Sequence, residues 1–160
     1  MYMKIFCETD QHIEVPYSSL KGVLLENLNL HRAQLENFDL SDTSFKNCNL
    51  RGAFLFKAKM IGCTFESTNL IVADLREVDL SNTNFVKCLV ISTLFENANL
   101  LNTNLEGSDI EGANFKNANL RGANLNCIGI EKAIFEKAIF DSRTIWPKNF
   151  NAKEYGAEMK

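Results

Sequence analysis

Between Leu20 and Ile145 every fifth residue is large and apolar: these 26 positions hold 14 Leu, 7 Phe, 3 Ile, Met60 and Val90, and nothing polar. The residues two places earlier are as restricted, with 10 Ala, 5 Thr, 3 Cys and 2 Ser among the 26 from Ser18 to Arg143. Asn or Asp immediately precedes the large residue in 13 units, as in Ala98-Asn99-Leu100 and Ala118-Asn119-Leu120. A period of five fits no common element. On an α-helix each step of five rotates by about 140° and smears the leucines round the cylinder, and along a flat strand they alternate between faces. A chain that turns a corner after every fifth residue keeps both columns inward, and four such sides close one coil. Small residues are wanted at the second inward position because an interior filled by stacked Leu and Phe has no space for more bulk. Asn, Asp, Gly and Ser suit the corners, where their side chains bond local backbone.

The tandem A(D/N)LXX pattern of residues 18–145 resembles the pentapeptide-repeat family, with 26 units expected in unbroken register. The resemblance implies an all-β fold, a right-handed quadrilateral β-helix; the periodicity alone gives a four-sided coil without a hand. With four units to a coil, the array makes 6.4 coils (128/20), a rod roughly 31 Å long at the ~4.8 Å spacing of strands. Stacked repeats leave unpaired backbone at both ends, so each end needs a cap. Residues 1–17 are expected to supply one or two strands over the first coil, and residues 146–160 the other cap. There Asn151 and Glu154 have capping-box spacing, which predicts a short helix over residues 152–158, with Trp146, Phe150 and Tyr155 over the open end.

A chain of 160 residues fits one domain. With 17 Lys plus Arg against 20 Asp plus Glu it has no basic footprint, so direct nucleic-acid binding is not expected. Cys7, Cys48, Cys63, Cys88 and Cys127 form no CxxC and no even framework, which favours a reducing compartment. The first residues include Glu8 and no apolar run of signal length, and no later stretch reaches the roughly 18 apolar residues of a membrane span. A cytoplasmic protein without membrane contact is the expectation.

Chemistry is sparse. Glu111 and Glu131 lie one full coil apart and so in one column, yet nothing nearby would desolvate them for acid–base work. His12 and His31, the only histidines, have no ligand-like companions. Cys48 and Cys88 share an inward column two coils apart, too far for a disulfide. Gly52, Gly62, Gly107, Gly112 and Gly122 fall at corners and make no phosphate loop. Glu26, Lys46 and Glu66, and likewise Arg76, Glu96, Lys116 and Glu136, read as surface charge ladders that favour solubility and register. No enzyme activity, metal, cofactor or small-molecule substrate is expected.

What stands out is apolar residues at outward positions. Ile71, Val72, Leu89 and Ile91 share one face, and Phe54, Phe56 and Leu94 lie on the next across a corner, so that the middle of the rod is greasier than its ends. Two function classes follow. One is a scaffold or binding module that engages a protein partner, or a second copy of itself, through these seven residues. The other is a modulator of DNA gyrase or another nucleic-acid enzyme by DNA mimicry, as resemblance to the quinolone-resistance members of the family implies. Duplex DNA carries one negative charge per about 1.7 Å, so a mimic roughly 31 Å long needs roughly 18. The array holds 15 acidic and 13 basic residues, a net −2.

Overall fold

The computed structural model describes residues 2–7 and 11–160; residues 1 and 8–10 of the expected N-terminal cap lie outside the described residues. The chain is a right-handed quadrilateral β-helix. Each side contributes one short bridge to the coil above it, and the paired positions run parallel four units apart, from Leu24 with Ser44 to Leu89 with Asp109. The central column from Leu20 to Phe140 is at most 9% exposed throughout. Within it the phenylalanines stack face to face, Phe45 on Phe65 on Phe85 at 5.1 and 4.7 Å, and Phe95 on Phe115 on Phe135 at 4.9 and 5.2 Å. Phe85 meets Phe95 edge-on at 6.2 Å and joins the two stacks.

The five-residue unit is explained by where its backbone N–H groups go. In the unit Ala98–Asn102, the Ala98 N–H closes the preceding corner onto Phe95 O, and the Asn99 N–H reaches back a coil to Val78 O. The Leu100 and Asn102 N–H groups reach forward to Asn119 O and Arg121 O. The fifth, on Leu101 at the corner, donates to the side-chain oxygen of Asn99 two positions before it. That last bond recurs along the rod where the outward strand residue is Asn or Asp, for instance Asn49 with the Arg51 N–H, Asp79 with Ser81 and Asn104 with Glu106. The Asn/Asp column is thus a repeated Asx turn. The same side chains form a ladder, the Asn99 amide donating to the Asp79 carboxylate at 3.1 Å and the Asn119 amide to the Asn99 side-chain oxygen at 3.0 Å.

The small inward column does more than save space. Thr83 donates its hydroxyl to Met60 O, Thr93 to Leu70 O and Thr103 to Leu80 O, each just over a coil back. The thiols of Cys48, Cys63 and Cys88 make the same bond to Leu25 O, Leu40 O and Phe65 O. These side chains satisfy their own polar atom in a dry core, which is why Thr, Ser and Cys alternate freely with Ala.

The unbroken register fails in two places. Asp109 bridges to Ile128, one position short of a full coil, because the chain skips a place after Leu125. Cys127 therefore takes the small inward place and bonds Leu105 O. A 3-10 turn at Ile130–Lys132 restores the phase, so that Asn114 meets Ile134. An extra residue then enters at the last corner, and Asn124 bridges to Ile145. Ile145, expected inward as the last repeat position, is an outward residue 52% exposed, and Thr144 rather than Arg143 fills the small place, bonding Leu120 O.

At the N-terminus, strands β1 (Met3–Phe6) and β2 (His12–Val15) form an antiparallel hairpin. Its Phe6 O accepts the Gln34 N–H, which docks it on the first coil. Val23, Leu28 and Phe38 occupy positions that are mostly small elsewhere and pack half-buried against the core, as do Met3 and Ile13 of the hairpin. At the other end Trp146 meets Phe135 and Phe140 edge-on at 5.4 and 5.5 Å, and Phe150 and Tyr155 continue the cluster. The helix expected over 152–158 is a single 3-10 turn, Ala152–Tyr155, ended by Gly156 at φ 85°. The Asn151 side chain accepts no backbone N–H there; its amide donates to the Glu154 carboxylate at 2.8 Å. Beyond the turn β4 (Glu158–Met159) pairs parallel with β3 (Ile139–Phe140) and adds one more rung to that side.

Candidate functional site

The candidate chemical residues are not drawn together. Glu111 accepts a hydrogen bond from Lys132 Nζ at 2.6 Å, and Glu131 sits in the 3-10 turn, so the two acids make no carboxylate dyad. His12 lies 3.5 Å from Glu14 on the hairpin. Among the described residues no group of three His, Cys, Asp or Glu is placed to hold a metal. The five thiols are unpaired. Burial pushes the Cys63, Cys88 and Cys127 thiols up to about 12, far from nucleophilic poise. A cleft of about 210 Å³ at the C-terminal cap, between Glu131, Phe150, Glu154 and Tyr155, is smaller than the roughly 300 Å³ at which ligand sites begin.

Of the charge ladders, Lys46–Glu66 and Lys116–Glu136 close at 3.2 and 2.9 Å. Arg76 leaves its column to hold Asp74 through two bonds of 2.8 and 2.6 Å, and Glu96 accepts the Asn114 amide instead. Burial disfavours the Asp74 carboxylate, but the Arg76 guanidinium and N–H outweigh it and hold the group below the usual carboxylate range.

The seven outward apolar residues separate into two groups. Phe54 lies under the Arg32 guanidinium at 5.8 Å, and Phe56 is flanked by Lys57 Nζ at 4.8 Å and Arg76 at 5.7 Å. These rings are covered by cations, and the Arg76–Asp74 pair stands between them and Leu94. Ile71, Val72, Leu89, Ile91 and Leu94 remain as an apolar edge around one corner in the middle of the rod, tied by the Val72 N–H to Ile91 O bond. Val72 and Leu89 are 47% and 44% exposed.

This edge departs from the local template at a cost. Val72 occupies the left-handed corner position at φ 52°, where a β-branched side chain is strained and where the coils on either side carry Gly52 and Ser92. Leu89, Leu94 and Phe54 stand where Asn or Asp elsewhere accepts a corner N–H, so the Asx bond cannot form at those corners.

A second apolar feature was completed by the register slips and was only half visible to strict counting. The last coil carries Ile128, Ile134, Ile139 and Ile145 at its four outward strand positions, over Asp109, Asn114, Asn119 and Asn124 of the coil before. One pairing is a position short of a full coil and another a position long, which hid Ile128 and Ile145 from the columns they belong to.

A solid, capped rod with one strained apolar edge defines a β-helical repeat protein. A model of pentapeptide repeats matches residues 18–55, 29–66, 55–89 and 92–126, and the chain belongs to the pentapeptide-repeat family. Full-length QnrB1, a plasmid-mediated fluoroquinolone resistance protein, superposes with a TM-score of 0.58 at 13% identity, over 86% of this chain and 92% of that one. A pentapeptide repeat protein of the Arabidopsis thaliana thylakoid lumen is 30% identical over 69% of this chain and 72% of that one, with a TM-score of 0.28. One from the cyanobacterium Cyanothece 51142 is 26% identical over 80% and 87%, with a TM-score of 0.39. No curated protein sequence matches the chain.

Proposed function

We propose that this is a non-catalytic binding module that engages a protein partner, a second copy of itself included, through the edge formed by Ile71, Val72, Leu89, Ile91 and Leu94, with Phe54 and Phe56 at its margin. The observation that carries this is the local cost of the edge. A valine in a left-handed corner and leucines in place of turn-forming Asn weaken the rod where they stand, and each could be made polar without touching the core. Residues kept at an energetic loss on a surface are accounted for by what binds there. A reducing, cytoplasmic setting fits five unpaired thiols. DNA mimicry finds less support: the likeness to QnrB1 is one of fold, and the array's 15 acids are largely offset by 13 bases, several directly paired.

The double variant Ile91→Lys/Leu94→Lys tests the reading. Both residues face outward, so the circular dichroism spectrum and melting behaviour are expected to stay close to the parent's while the partner captured from native-cell extract is lost. Capture of the same partner by both forms would contradict the reading.

A further inference from the structure

The apolar edge belongs to a longer pattern of charge. Along its corner column the residues run Arg51, Ile71, Ile91, Glu111: cationic at one end, apolar in the middle, acidic at the other. Arg51 and Glu111 are both exposed; Glu111 also accepts from Lys132 of its own chain at 2.6 Å, and Arg51 forms no ion pair among the described residues. Each step in this column is one coil, about 4.8 Å. The midpoint between Ile71 and Ile91 is therefore equidistant from Arg51 and Glu111. A column whose sign reverses about its own centre is complementary to itself turned end for end.

The geometry points to a second copy of this chain as the occupant: two rods lie side by side and antiparallel, edge to edge, related by a twofold axis through that midpoint. Ile71 of each copy faces Ile91 of the other, and Arg51 faces Glu111. This is an isologous contact, in which one surface serves both sides. It rests on the reading of this edge as a binding surface and says what binds there. Apolar burial at the centre supplies attraction, while the charges at both ends fix the antiparallel direction, because a parallel pairing sets Arg51 on Arg51 and Glu111 on Glu111. One edge of a rod about 14 Å long between the terminal pairs is a small interface, so the dimer is weak, reversible and sensitive to salt.

Sedimentation of charge-reversed variants tests this. R51E alone and E111R alone each set two like-charge contacts across the twofold, and each is expected to weaken dimerisation at least tenfold while melting like the parent. An equimolar mixture of the two restores dimers, each holding one copy of either variant, because both contacts become attractive. The proposal is overturned if the parent remains a monomer into the high-micromolar range, if the single variants dimerise as the parent does, or if the mixture stays monomeric. It is equally overturned if Ile128→Lys alone abolishes association, which would move the contact to the end of the rod. None of these outcomes decides the capture of a different protein by the Ile91 and Leu94 edge, which its own double variant reads separately.

Discussion

Two diagonally opposite edges of one rod show what the pentapeptide template does when left alone and when it is diverted. At the corner between Asp79 and Asn84, Asp79 and Asn84 accept the Ser81 and Val86 N–H groups, Asn99 bonds Asp79, and Asn102 bonds Asn82, with Ile61 and Leu101 the only apolar interruptions among the neighbouring coils. At the opposite corner Leu89, Leu94 and Val72 give up those turns and ladders, and one of them takes a strained backbone. Both edges wrap the same Leu and Phe interior. The difference teaches that the outer residues are free of the core's demands, so an edge that forgoes the template's hydrogen bonds does so for something outside the coil.

The comparison can be broken most violently from within. Leu75→Asp or Phe95→Asp puts an unpaired charge into a dry stack shared by both edges and is expected to cost more than about 4 kcal/mol and unfold the chain. Melting at the parent temperature would refute the inward assignment. Next comes Asn99→Leu on the polar edge, which removes a turn bond and two ladder bonds; a loss of about 1–2 kcal/mol in denaturant titration is expected. Opposite in sign, Val72→Gly relieves the strained corner and is expected to gain about 1 kcal/mol. Smallest is a pH effect at the last corner. Burial opposes ionisation of Asp141, but bonds from Arg143 and the Gly122 N–H hold its pKa down at about 2. Because the folded value lies below the ordinary carboxylate value, this contribution is complete above about pH 4 and is lost as the pH falls towards 2. Asp141→Asn should flatten that part of the acid melting curve.

The period of five made the coil and its inward columns readable from residue types alone. Its hand came with the family. What could not be read was phase: a skipped residue at Cys127 and an added one before Thr144 leave the apolar count intact, because Ile130 and Trp146 still supply bulk at the right places. Counting in fives thus put Ile145 inside, whereas hydrogen bonding put it outside. The seven outward apolar residues were visible as exceptions to a template, but their division by Asp74 and Arg76 depends on a side-chain turn within a single corner that spacing does not encode. The strain at Val72 needed a backbone angle, and the self-complementary charge of the corner needed the column to be assembled coil by coil.

The central claim is that the Val72, Leu89 and Leu94 edge trades stability for association. The variant Val72→Gly/Leu89→Asn/Leu94→Asn restores the template at all three positions. Thermal melting and sedimentation of this one protein, set beside the parent, test the trade directly: the account predicts a higher melting temperature together with loss of self-association. A lower melting temperature, or undiminished association in a more stable rod, would contradict it.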